Sequence, residues 1–106
     1  MSERLQQRLD DIAWAGHGQH ELRQAAQTLW KSTLWAHSDA ARGRLISYAA
    51  TAGTEHHCKL TKLLAVRREL PPTLADALDP LVDHHTAMHT AYTVLHSSLR
   101  VLDVLP

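Results

Sequence analysis

The chemistry available to this chain is concentrated in its histidines, nine among 106 residues. His85, His89, Tyr92 and His96 recur at i, i+4, i+7 and i+11, a spacing that lays them along one flank of a helix. Two imidazoles one turn apart can hold one borderline metal ion, and a third from a facing helix completes a common zinc or copper arrangement. His56 is the candidate third donor. The expected set is therefore His56, His85 and His89, with His84 or Cys58 close by and zinc or another transition metal as the ion. The competing reading takes the same rings as packed or surface histidines, each satisfied by one hydrogen bond and holding no cofactor. Haem held non-covalently by a single histidine is chemically open. Covalent haem is not, because no Cys-x-x-Cys-His run is present.

Other groupings carry less. His56-His57-Cys58 are consecutive, and consecutive helical residues point in different directions, so the three are not expected to chelate one ion. His17 and His20 bracket a Gly-Gln step that reads as solvated loop. Asp10-Asp11 reads as a solvated face. There is no glycine-rich phosphate loop, no Gly-x-Ser-x-Gly, no His-Glu-x-x-His and no Glu-x-x-His. The expectation is a protein that is not an enzyme.

These side chains need elements to carry them, and the periodicity is helical throughout, with no alternating strand-length window. A first helix is expected over residues 2–14, with Leu5, Leu9 and Ile12 on one face. The glycines at 16 and 18 favour a turn after it. A second helix follows over about 19–37, with a seam through Leu22, Ala25, Ala26, Leu29, Thr33 and Ala36. The third and longest covers 39–70 and places Leu45, Ala49, Ala52, His56, Leu60, Leu63 and Leu70 on one face. Pro71-Pro72 stops it. Thr73 and Asp76 resemble a capping box for a short turn over 74–78. Asp79-Pro80 then opens the last helix, about 80–104. In it Leu78, Leu81, His85, Met88, Tyr92, Leu95, Leu99 and Leu102 step by three and four.

The short proline-bearing connection predicts that the third and last long helices form an antiparallel hairpin. Folding it back sets His56 level with Met88 and His89, Tyr92 against Ala52 and Gly53, Leu99 against Leu45, and Leu81 against Leu63. The fold expected is a single all-α domain over 1–106, an antiparallel helical bundle of three long helices plus a shorter N-terminal one.

Composition bounds the function. Eleven basic and eleven acidic residues cancel, which gives no electrostatic reason to bind nucleic acid or an anionic membrane. No apolar run approaches the roughly 20 residues of a membrane span. Cys58 stands alone, so a reducing cytoplasm is the default. Phe and Asn are absent and Arg and Ala plentiful, the residue usage of a GC-rich bacterial or phage genome. Trp30, Leu34 and Trp35 spread round the second helix, so more than one of its faces is apolar. A small chain buries only one such face fully, which makes these three the expected interface with a protein partner or a second copy. The leading expectation is a small cytoplasmic adaptor or regulator acting by protein–protein contact and self-association, such as a phage or mobile-element inhibitor or immunity factor. The alternative is a metal- or haem-binding helical bundle using His56, His85 and His89.

Overall fold

A computed structural model describes the backbone of residues 2–15, 18–36 and 39–104, and the side chains of 4–15, 18–32 and 39–104. The described residues are helical almost throughout and contain no strand. The elements are α1 (Ser2–Trp14), α2 (Gln19–Ala36), α3 (Asp39–Glu69), α4 (Pro72–Asp76) and α5 (Asp79–Val104). The boundaries fall within a residue or two of those expected, because the signals that set them are steric. α3 ends just before Pro71, whose ring excludes the helical conformation in the residue ahead of it. The capping box expected at Thr73 and Asp76 does not form. α4 starts earlier, at Pro72, with Pro71 as a cap that makes no side-chain hydrogen bond. The Pro71 carbonyl instead accepts from the amides of Leu74 (3.0 Å) and Ala75 (2.9 Å).

α3 packs mainly on α5, α2 mainly on α5, and α1 mainly on α3. Three contacts fix the direction of the central pair. Gly53 meets His89, His56 meets His85, and Arg67 meets Asp79, so position rises along α3 as it falls along α5. The two helices run antiparallel. The core is mostly aliphatic: Leu5, Leu9 and Ala13 from α1; Leu22, Ala26 and Leu29 from α2; Leu45, Ala49 and Ala52 from α3; Met88, Leu95 and Leu99 from α5, with Tyr92 among them. Each large side chain buried there stabilises by about 1.5–3 kcal/mol over its exposed state.

Trp30 belongs to this core at 5% exposed, and the Arg42 guanidinium lies 5.8 Å over its ring. Its indole is therefore covered by its own chain and presents no face to a partner. The side chains of Leu34 and Trp35 lie outside the described residues. Leu63, expected in the core, is only half-buried. The reason is length. At ~1.5 Å per residue α3 is about 46 Å long, against about 20 Å for α1 and 27 Å for α2, so half the hairpin outruns its cover. Between Thr54 and Ala87 the only buried residue is Ala75.

Candidate metal centre

The histidines converge where the covered half of the hairpin ends. One ring nitrogen from each of His56, His84 and His85 lies within 4.8 Å of the other two. His56 projects from α3 and the others from α5. The Nδ1 atoms of His56 and His85 are 2.8 Å apart, a hydrogen bond in which one neutral ring donates and the other accepts. Ring centroids stand 5.1 Å apart for His56–His85, 5.9 Å for His56–His84 and 5.0 Å for His84–His85. All three are half-buried.

The His56–His85 distance suits two ligands of one small cation. With metal–nitrogen bonds near 2.05 Å, two imidazole nitrogens lie about 2.9 Å apart at a right angle and about 3.4 Å apart at the tetrahedral angle. The His56–His85 pair needs a shift of only tenths of an ångström to reach either. Burial, followed by the charges of its neighbours His85 and His84, lowers the pKa of His56 below its usual 6.5. Burial, then His84 and Lys59, does the same for His85. Both effects favour the neutral ring, which is the form that donates a lone pair to a metal.

Two aromatic residues frame the cluster. The Trp14 indole at the end of α1 lies against His84, with centroids 4.7 Å apart. Tyr92 stacks on His56 with centroids 5.8 Å apart and planes 15° from parallel. The Tyr92 hydroxyl donates to Asp10, which also accepts from the Tyr48 hydroxyl at 2.8 Å. Asp10 is thus no solvated face but the acceptor for both tyrosines of the chain. Burial first, and the Asp10 carboxylate second, push the Tyr48 hydroxyl up to about 12 and raise Tyr92 as well. The signal for this cluster was present in the sequence. Asp10 follows Leu9 on the inward side of α1, and a buried tyrosine hydroxyl needs a partner.

The expected trio is only partly brought together. His56 and His85 meet, while His89 turns elsewhere. His89 Nδ1 lies 3.0 Å from the Gly53 carbonyl, which can only accept, so that nitrogen carries the proton and donates. The His89 ring then sits beside His57, centroids 5.0 Å apart. His56 meets α5 between His85 and Tyr92, at about the level expected, and it is His85 and not His89 whose ring turns toward it. That leaves His89 level with Gly53, where the missing side chain lets the ring reach the α3 backbone. His84 takes the third place. Neighbouring residues on a helix do diverge, but His84 and His85 straddle the line facing α3, and their rings are long enough to converge over His56. Cys58 is exposed and stands apart from the cluster.

Three imidazoles are one donor short of a closed tetrahedral site, so an ion held here keeps a position for water or another ligand. The spacing also bears on haem. Nitrogens 2.8 Å apart are adjacent ligands of one ion, whereas axial ligands on opposite faces of haem iron stand about 4 Å apart. Among the described residues no helix is long and apolar enough to cross a membrane. Compared with known proteins, the chain matches no family model, no curated protein and no solved structure.

Proposed function

We propose that this protein is a transition-metal-binding antiparallel helical bundle, built from α2, α3 and α5 with the shorter α1, that holds one ion on His56, His84 and His85. The observation that carries the reading is the convergence of three imidazole nitrogens within 4.8 Å from two antiparallel helices. An all-nitrogen set selects borderline ions such as zinc, copper(II), nickel or cobalt(II) over magnesium or calcium, which prefer oxygen. The lowered pKa values of His56 and His85 support it by keeping the rings neutral near pH 7. The role is binding, not catalysis, in a reducing cytoplasm where the lone Cys58 stays a thiol.

The test is cobalt(II) or zinc titration of the full chain, followed by calorimetry and, for cobalt, by visible absorption. One ion per chain is expected, with affinity reduced at least about tenfold by His56→Ala or His84→Ala and little changed by His96→Ala. Binding that survives loss of both His56 and His84 would falsify the assignment. The contact-mediated reading, an adaptor that self-associates, finds its support away from α2, in the exposed Val66, Leu74 and Leu81 at the far end of the hairpin.

A further inference from the structure

Three neutral imidazoles bring no charge to an ion. A divalent cation held by them keeps its full double positive charge, which a carboxylate or thiolate ligand would have reduced. Among the described residues no such ligand joins them, since the donor atoms within 4.8 Å of one another belong to His56, His84 and His85 alone. Glu55 and Asp83 each precede one of these histidines in sequence, yet both are exposed and their oxygens stay outside the group. Asp10 reaches the cluster through Tyr92 and is already the acceptor for two tyrosine hydroxyls. Cys58 is exposed and also stands outside the group.

The charge that does stand beside the cluster has the same sign as the ion. Lys59 follows His56 at i+3, so it leaves α3 on the same side, about 4.5 Å further along the axis. After burial and the neighbouring histidines, its ammonium is the next influence that lowers the pKa of both His56 and His85. Glu55 opposes this at His56 alone, and more weakly. An ion of double charge with an ammonium beside it attracts a negative group to the fourth position more than it does water. Size is bounded as well. Tyr92 stacks on His56 and Trp14 lies against His84, which limits the room around the ion.

We infer that the open position on the His56–His84–His85 ion takes a small monoanion, a carboxylate or an inorganic ion of similar size, with Lys59 as its second positive partner. The anion site rests on the metal-binding reading above.

The experiment separates the two. Cobalt(II) is bound to the full chain and followed by visible absorption, and a chain that takes up no cobalt overturns the metal reading and the anion site together. Sodium azide, and separately sodium acetate, is then titrated into the loaded protein, with sodium perchlorate holding the ionic strength constant. A saturable change in the cobalt bands is expected in the millimolar range. Bands that neither anion moves, with cobalt still bound, overturn the anion site and leave the metal reading standing. Lys59→Gln alters an exposed residue that ligates nothing. It is expected to weaken azide binding about three- to tenfold while cobalt binds as tightly or more tightly, because losing a positive charge acts oppositely on an anion and a cation. Lys59→Arg is expected to restore the wild-type values. Lys62→Gln, one turn further from the cluster and equally exposed, is expected to change them less. Azide binding that is indifferent to Lys59→Gln, or azide and cobalt binding that weaken together in that variant, overturns the role given to Lys59.

Discussion

Asp10→Ala is the substitution that tests the polar centre of the fold. In the wild-type protein one carboxylate accepts from the hydroxyls of Tyr48 and Tyr92, and Tyr92 is 2% exposed. A hydrogen bond to a charged acceptor contributes about 1.5–3 kcal/mol, and a hydroxyl left buried without a partner costs a similar amount. Tyr48 is half-buried and can recover water, so its share falls at the low end. Alanine's better helix propensity returns about 0.5 kcal/mol at an interior position of α1. The net loss expected is about 2–4 kcal/mol. For a chain of this size, at about 4–8 °C per kcal/mol, the melting temperature falls by roughly 8–32 °C. The assay is urea and thermal unfolding of the wild type, Asp10→Ala, the Tyr48→Phe/Tyr92→Phe double variant and the triple variant. With both hydroxyls gone, Asp10→Ala is expected to cost less than about 1 kcal/mol, because the interaction it breaks is no longer there. An equal cost in both backgrounds, or a cost below about 0.5 kcal/mol in the wild type, would refute the reasoning.

Other outcomes follow from the same contacts. Leu95→Ala, at a position 0% exposed, is expected to cost about 2–5 kcal/mol in denaturant unfolding, and Leu63→Ala clearly less because its site is half open. Gly43 is an exposed residue inside α3 with nothing within 4 Å of an added Cβ, so Gly43→Ala is expected to raise stability by about 0.5–1 kcal/mol. Metal-free protein is expected to lose stability as pH falls below 6.5. The unfolded chain takes up protons there before His56 and His85 do in the folded state, and the decline ends below their lowered pKa values. A melting temperature that is flat from pH 7.5 to 5 contradicts this. At the other end stability is expected to fall as pH rises above 10, where unfolded tyrosines ionise before Tyr48, held at about 12, and Tyr92 can follow.

The helix boundaries were legible because they rest on local steric signals, such as Pro71 and the glycines after Trp14. The pairing of Tyr92 with Gly53 was legible as well, a large residue set against one with no side chain. An added Cβ on Gly53 would stand 3.4 Å from that of Tyr92. The exchange of His89 for His84 was not. It depends on which way each ring turns once the helices are packed, since His89 Nδ1 is drawn to the Gly53 carbonyl while His84 and His85 reach His56. Trp30 was misplaced because a helical wheel gives a residue's direction but not which neighbours stand there; α2 is packed by Arg42 on that side as well as by the core. Asp10 could be read as an inward residue of α1, but which tyrosines it meets could not, since they lie 38 and 82 residues away. The bare arm follows from a difference in helix lengths that composition does not reveal.

The close approach at Gly53 makes the hairpin a lever. With α3 resting on Tyr92 and His89 there, a change in crossing angle turns about that point. His56 is three residues out, about 4.5 Å along the axis, and Leu70 seventeen residues out, about 26 Å. A tilt of 10° then moves His56 by about 0.8 Å and Leu70 by about 4.5 Å. Were an ion held as proposed, the short end would adjust to its radius by a small shift, while the long end would convert the same adjustment into a displacement comparable to the width of a side chain. Movement near the fulcrum and movement at the tip are mechanically geared, with a ratio set by the position of one glycine.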